Sequence, residues 1–317
     1  MTTEPRTLTV RTPELTLRAL TWGPEDGPLA LLLHGFPDSA TTWRHLGPLL
    51  AAQGWRVVAP YNRGYAPSDI PADGSYQLGA LIGDVVDIHD ALGADGRAVL
   101  IGHDWGAAIA SGVSHHAPQR FSSVVLLAVP PLPAVVSLFR TPRPKNLPLV
   151  LRQLPRSWYM SVAQIPVLSQ LFGERLIRLL WALWAPGYDY RQDLDAVLNS
   201  LPDKAHRRAA LSYYRALWNP LYRRRKYAEE QRAAFGRARV RTLCVHGAAD
   251  TCGLVDLGAH ALAFLPAESR ACVVPGTGHF LHLEDPDTVN RHVLEFVGPA
   301  PTAQPASPRR IHGTHTP

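Results

Sequence analysis

Cysteine is scarce, with three in 317 residues. A small, odd count excludes a disulfide framework and favours a reducing compartment. Long apolar runs are also missing. The most apolar stretch, Val124 to Phe139, is interrupted by Pro130, Pro131 and Pro133 and is too short to cross a bilayer. Residues 1–20 read MTTEPRTLTVRTPELTLRAL and hold no continuous apolar segment, so no signal peptide is expected. No repeat of 20–50 residues recurs, which argues against solenoids and propellers. Rossmann and P-loop glycine motifs are absent, as is metal-ligand spacing; His292, His312 and His315 have none. What is present is a chain with 46% hydrophobic and 18% charged residues, enough for a sizeable core. Its length allows two domains or one large α/β domain. A soluble, cytoplasmic globular protein is the expectation.

Lysine is rare as well: only Lys145, Lys204 and Lys226, so arginine carries most of the net charge of +6. That charge is uneven. Residues 140–238 hold 18 Lys+Arg against 7 Asp+Glu, and the rest hold 14 against 19. The densest run is Arg223-Arg224-Arg225-Lys226. No nucleic-acid-binding module or aromatic stacking platform accompanies the basic residues, so solvated helix faces account for them better than a nucleic-acid partner.

Hydrophobic patterning sets the architecture. Residues 7–22 form two alternating segments split by Pro13-Glu14, an antiparallel pair. Leu29–Leu33 is a continuous apolar run that fits a buried parallel strand. A strand–helix alternation follows: helix 42–53 closed by Gly54, strand 55–59, helix 78–92, strand 98–101, helix 105–116, strand 124–129. Residues 131–238 break the rhythm. They show no clear strand and are helical near 162–184 and 194–218. The alternation resumes with strand 242–245, helix 255–265, strand 270–274 and helix 286–297. The pattern predicts an α/β core (1–130 and 239–297), a mostly parallel sheet flanked by helices, and an inserted helical lid over 131–238. Such insertions cover the carboxyl ends of strands, where α/β folds bind ligands. From Gly298 the composition collapses to Pro, Ala, Thr and His, and 298–317 is expected to be a disordered tail.

The chemistry concentrates at those strand ends. Gly102-His103-Asp104-Trp105-Gly106 lies between a predicted strand and a predicted helix and has the G-x-nucleophile-x-G form of a nucleophile elbow, with Asp in the usual Ser place. His34-Gly35-Phe36-Pro37 follows the first apolar strand; amides of Phe36 and Trp105 could converge as an oxyanion hole, with His34 structural. Asp250 follows strand 242–245 and His279 follows strand 270–274, giving the order nucleophile, acid, histidine. Asp256 is a weaker alternative acid because it falls inside the next predicted helix. His282 reads as a helix or loop residue. Cys252 lies near this site as a small buried thiol, and Cys244 and Cys272 fall in predicted buried strands.

An Asp in place of Ser changes the reaction. A carboxylate is already ionised at neutral pH and can displace a leaving group from a saturated carbon, forming an ester with the enzyme. His279, oriented by Asp250, would then activate the water that hydrolyses this ester. The substrate must carry a leaving group on an sp³ carbon, an epoxide oxygen or a halide.

These motifs resemble the α/β-hydrolase fold and, within it, the epoxide hydrolases of the soluble bacterial type, over roughly residues 15–297. The carriers are HGFPDSATTWR (34–44), RGYAPSD (63–69), GHDWG (102–106) and GTGHFLHLEDP (276–286), with Trp158-Tyr159-Met160 and Leu211-Ser212-Tyr213-Tyr214-Arg215 in the lid. The resemblance implies that Tyr159 and Tyr214 bind and protonate the epoxide oxygen, and that Phe36, Pro37 and Trp105 contact substrate. A phenol suits that task because it donates without bringing charge into an apolar pocket. Tyr213, Trp158, Trp181, Trp184, Trp218 and Tyr222 are read as packing. Asn62 stands where many relatives have Asp or Leu. Haloalkane dehalogenases share the Asp, but often hold halide with an Asn after His-Gly; that place is Phe36 here. Fluoroacetate-type dehalogenases usually have Arg where Trp105 stands. A non-catalytic small-molecule binder is a further alternative. The expected function is epoxide hydrolysis to a vicinal diol. The partners are a small hydrophobic epoxide and water, with no cofactor, no metal and no membrane insertion. The oligomeric state is open, with a homodimer allowed.

Overall fold

The computed structural model describes residues 4–140 and 146–301. Eight strands form one sheet: β1 (Arg6–Arg11), β2 (Thr16–Trp22), β3 (Leu29–Leu33), β4 (Arg56–Pro60), β5 (Ala98–His103), β6 (Phe121–Leu127), β7 (Thr242–Gly247) and β8 (Arg270–Val274). Their spatial order is β1-β2-β4-β3-β5-β6-β7-β8. β1 pairs antiparallel with β2, and β2 antiparallel with β4; every pairing from β4 to β8 is parallel.

The central parallel strands are apolar on both faces because helices cover both, whereas the edge strand β8 is largely exposed. Alternate residues of β3 serve the two sides: Leu29, Leu31 and Leu33 join one core cluster, Ala30 and Leu32 the other. All five are at most 3% exposed. Burying each leucine contributes about 1.5–3 kcal/mol, so this strand anchors the motif that follows it. Helices α1 (Leu46–Ala52) and α12 (Pro286–Val297) cover one face, α2 (Leu78–Ala91) and α3 (Trp105–His116) the other.

Between β6 and β7 the chain is helical. It runs through α4 (Leu132–Arg140), α5 (Leu147–Gln153), α6 (Trp158–Gln164), α7 (Pro166–Trp184), α8 (Arg191–Ser200), α9 (Lys204–Trp218) and α10 (Ala228–Ala233), with short 3₁₀ turns between. A four-residue helix, α11 (Leu281–Glu284), follows β8. The expected helix near 162–184 is two helices, because Pro166 has no N–H to continue α6 and instead opens α7. The expected helix 194–218 is likewise divided, with Asp203 capping α9 by accepting from the His206 amide. Helix α10 belongs to the core flank: Gln231 Oε1 accepts from the Gly79 amide on α2 at 2.9 Å. The helices over the strand ends therefore stop short of residue 228.

Three expectations need correction. Residues 42–53 are not one helix but a 3₁₀ turn, Ala40–Arg44, followed by α1. Residues Val255–Phe264 form a 3₁₀ helix rather than an α-helix; Gly258 at its centre costs about 1 kcal/mol relative to alanine in an α-helix. The segment from Gly298 does not leave the fold at once. The Trp55 indole donates to the Gly298 carbonyl at 3.0 Å, and the Ala300 amide donates to the Gln53 carbonyl at 3.0 Å. The rest of the expected tail, 302–317 with His312 and His315, lies outside the described residues. Among the described residues no helix is long and apolar enough to cross a membrane.

Candidate active site

Asp104 sits at the turn from β5 into α3 with φ 51° and ψ −113°. This is an unfavourable backbone for a non-glycine residue and marks stored strain. The turn is so tight that a Cβ on Gly102 would lie 2.2 Å from the Gly106 backbone, and one on Gly106 would lie 2.0 Å from the Leu33 carbonyl oxygen. Only glycine fits at either place, which is the physical content of the motif. A Cβ on Gly35 would meet Asp104 Oδ1 at 2.6 Å, so the loop after β3 can approach the carboxylate only as glycine. The Phe36 amide uses that approach and donates to Asp104 Oδ1 at 2.8 Å. Trp105 is the first residue of α3, where amides have no intrahelical acceptor.

His279 follows β8 and is fully buried. Its Nδ1 donates to Asp250 Oδ2 at 3.0 Å, and its Nε2 lies 3.6 Å from Asp104 Oδ2. The Asp250 loop is itself tied down: Oδ1 accepts from the Cys252 and Gly253 amides at 2.7 and 3.0 Å. His246 Nε2 donates to the Gly253 carbonyl at 2.9 Å and lies 3.3 Å from Asp250 Oδ2. Burial alone would push the Asp250 carboxyl up, but His279 and His246 hold it well below the usual carboxylate range. The opposite balance holds at His279. Burial works against the imidazolium, yet the neighbouring negative groups raise the ring well above its ordinary value. Burial pushes the nearby Cys252 thiol up to about 12, so it is neutral near pH 7 and the carboxylates Asp250 and Asp104 supply the effect. Asp256, the alternative acid, is half exposed and faces Arg152 instead.

Two lid phenols meet above the carboxylate. Tyr159 on α6 and Tyr214 on α9 are buried with ring centroids 5.5 Å apart and planes perpendicular. Tyr214 also packs edge-on to Trp105 and Phe36, at 5.0 and 5.3 Å. The Tyr159 hydroxyl is 3.5 Å from the Cys252 sulfur, and that of Tyr214 makes no hydrogen bond of normal geometry among the described residues. Burial raises both phenols well above their usual range, so they stay protonated as donors. A cavity of about 110 Å³ lies here, lined by Asp104, Trp105, Tyr159, Tyr214 and apolar side chains such as Leu132 and Leu217. A larger cleft of about 450 Å³ runs along β6, β7 and β8 beneath residues 255–258, and none of Asp104, His279, Tyr159 or Tyr214 lines it.

Other sequence expectations separate here. Phe36 is at the site, but Pro37 does not line the cavity; its carbonyl accepts from the Trp181 indole at 2.9 Å. His34 is structural: Nδ1 donates to the Gly35 carbonyl and Nε2 accepts from the Asn62 amide. Asn62 also donates from Nδ2 to the His34 carbonyl, so this departure from the family pattern still braces the loop. Tyr213 donates to the Arg63 carbonyl at 2.8 Å, away from the cavity. Sequence reasoning missed Glu284, whose two oxygens accept from the amides of Gly278 and Phe280 on either side of His279. Its place in GTGHFLHLEDP was the only signal. It also missed His246, Asp38 and His103, which ordinary motif spacing does not separate from filler.

A family model for the alpha/beta hydrolase fold matches residues 28–157. Epoxide hydrolase B of Mycobacterium tuberculosis is 41% identical over 145 residues, 43% of this chain and 40% of that protein. The chain thus aligns with about two fifths of that relative's length. Epoxide hydrolase 4 of Mus musculus is 27% identical over 286 residues, covering 87% of this chain and 74% of that protein. A solved epoxide hydrolase of the α/β-hydrolase superfamily from hot-environment metagenomes superposes with a TM-score of 0.75 at 26% identity, covering 92% of this chain and 98% of that one.

Proposed function

The chain belongs to the α/β-hydrolase fold, and from that premise we propose that it hydrolyses epoxides to vicinal diols through a covalent ester on Asp104. One observation carries the reading: a strained elbow carboxylate accepts an amide on one oxygen, has His279 Nε2 3.6 Å from the other, and lies under two buried phenols. In this reading Asp104 attacks an epoxide carbon and the C–O bond breaks. Tyr159 and Tyr214 hydrogen-bond the departing oxygen and deliver its proton. Burial favours this, because an alkoxide forming in an apolar cavity gains most from nearby neutral donors.

The second step reverses the polarity of the site. His279 takes a proton from water, and the hydroxide attacks the carboxyl carbon of the Asp104 ester. Negative charge then develops on the Asp104 oxygen that faces Phe36, whose amide stabilises it together with that of Trp105. Asp250 keeps the imidazole in the tautomer that presents Nε2 to water and compensates its charge. The ester oxygen is expelled and takes up the proton of the hydroxide that added, the proton held by His279 returns to the lid phenolate, and the diol leaves as the carboxylate re-forms. Water is the only co-reactant, so no cofactor enters. The apolar lining and small volume of the cavity support a compact hydrophobic epoxide, aliphatic or aryl.

The test is single-turnover mass spectrometry of His279→Gln, which removes water activation and leaves Asp104 able to attack. The variant is incubated separately with an aryl epoxide and a bromoalkane. A stable adduct of epoxide mass on Asp104 is expected. An adduct from the bromoalkane alone would make the protein a dehalogenase, and no adduct from a panel of aryl and aliphatic epoxides would overturn the ester mechanism.

A further inference from the structure

A surface helix ordinarily turns its polar side to water. The helical turns from Leu147 to Gln164, which are α5, a 3₁₀ turn and α6, do the reverse. Polar groups hold their inner side down. Gln153 is buried, with Nε2 donating to the Cys252 carbonyl at 2.8 Å and Oε1 accepting from the Leu254 amide at 3.0 Å. Tyr159 is buried at the cavity, and Leu149 packs inward against Leu138, Leu254 and Leu257. The outer side presents Leu147, Leu151, Leu154 and Trp158, which are 49%, 58%, 54% and 36% exposed. Their spacing of four, three and four residues puts them on one helical face. Single exposed leucines are ordinary on a protein surface, but an apolar stripe backed by a polar inner side marks a surface that meets a partner.

Charge decides what covers the stripe. From Trp105 to Gly173 the chain carries six Lys or Arg and no Asp or Glu. Arg152 stands exposed beside the stripe, and Asp256, half exposed on the segment after β7, reaches it at 3.4 Å. Arg156 is half-buried and donates to the Thr251 carbonyl at 3.0 Å. A second copy fits this surface poorly, because a two-fold contact sets each patch against itself and brings like charges together. The terminal residues 302–317 fit no better. They add Arg309 and Arg310, no carboxylate, and one large apolar side chain, Ile311. A bilayer with anionic headgroups supplies what both lack. Leucine and tryptophan side chains enter the boundary between headgroups and acyl chains, while cations beside them meet phosphate.

We propose that the outer face of α5 and α6 docks this protein on the surface of anionic phospholipid membranes, with both helices lying in the plane of the interface. Docking of this kind needs no helix that crosses the bilayer. The stripe ends at Trp158, directly before Tyr159 and Met160, which line the cavity. The docked face therefore sets the helix that carries the cavity's own residues beside lipid, the phase in which apolar small molecules concentrate. The docking does not depend on the reaction proposed above.

The test is co-sedimentation of the full chain with vesicles of phosphatidylcholine, alone or mixed with phosphatidylglycerol. Binding to the mixed vesicles is expected, weaker in high salt and weaker still to phosphatidylcholine alone. Leu151→Gln and Leu154→Gln together should lower the partition coefficient by at least about tenfold. Both side chains are exposed, so the far-ultraviolet circular dichroism should not change. A second readout needs no variant: lipids brominated on their acyl chains should quench the wild-type tryptophan fluorescence, because Trp158 enters the interface. No binding to the mixed vesicles, no quenching, or undiminished binding by the folded double variant would overturn the proposal. Equal binding to both kinds of vesicle would overturn the part given to anionic headgroups. A wild-type dimer in sedimentation velocity that the double variant converts to monomer would assign the stripe to a second copy instead.

Discussion

At the scale of single residues, the site depends on opposed shifts in neighbouring groups. Asp250 is held low and His279 high, so the pair shares a stable charge that must be undone before His279 can act as a base. A base works in its neutral form, and a raised value keeps the ring protonated to higher pH. Asp104 carries no charge once esterified, but Asp250 still holds the ring up, so ester hydrolysis should rise with pH along a limb lying above the ordinary histidine value of 6.5. Asp250→Asn should move that limb to lower pH and cut the plateau rate by about 10²–10⁴-fold, measured by single-turnover decay of the ester. A limb that does not move would remove Asp250 from this role. The phenols give a second prediction. Tyr214→Phe should lower the rate of ester formation by about 10²-fold while leaving ester hydrolysis near its original rate. Pre-steady-state tryptophan fluorescence would follow both steps, since Trp105 packs on Tyr214.

At the scale of elements, the site is a meeting of loops held by few but specific contacts. Helix α7 is fastened to the β3 loop by the Trp181 indole on the Pro37 carbonyl, and Trp181 stacks on Phe280 with centroids 3.8 Å apart. Thr251 ties the Asp250 loop to the end of the same helix through the Leu183 carbonyl at 2.6 Å. Trp181→Phe keeps a ring for stacking and removes the donor, leaving a buried carbonyl unpaired. That should cost about 1–3 kcal/mol, read as a lower urea midpoint at unchanged slope. The elbow is less forgiving. Gly106→Ala places a methyl against the Leu33 carbonyl, so β3 and α3 must part. A loss of at least about 1–3 kcal/mol is expected, with activity falling further than stability because Asp104 moves with the turn.

At the scale of the whole molecule, the helices over the site and the sheet beneath them do not have separate cores. Tyr159, Ala163, Leu176, Trp181, Tyr213 and Tyr214 pack in one continuous apolar cluster with Leu31, Leu33, Leu100 and Val124 of the strands. A shared core makes unfolding cooperative. Urea denaturation followed by far-ultraviolet circular dichroism and by tryptophan fluorescence should therefore give coincident transitions. The fluorescence reports both regions, since Trp181 and Trp184 lie on α7 while Trp43 and Trp55 lie beside the sheet. Two separated transitions would show that the helical insertion melts on its own.

The sequence by itself determined the sheet and the elbow. Continuous apolar runs such as LALLL admit only a doubly covered strand, and Gly102-His103-Asp104-Trp105-Gly106 admits only a turn too tight for a Cβ. The positions of β3, α3, β8 and α12 follow from such local signals, and so does the order Asp104, Asp250, His279. Helix boundaries inside the insertion were harder to read, because an amphipathic period runs on past Pro166 and Pro202 even though the backbone cannot. The 3₁₀ geometry of 255–264 had no local signal beyond Gly258. Only the tertiary structure decided which polar side chains face one another. His34 and His103 look alike in the sequence, each a histidine at the end of a buried strand. One has a donor across from it and the other has acceptors on both sides. The partners of His103 lie 65 and 176 residues away. Spacing within a motif carries no information about such partners.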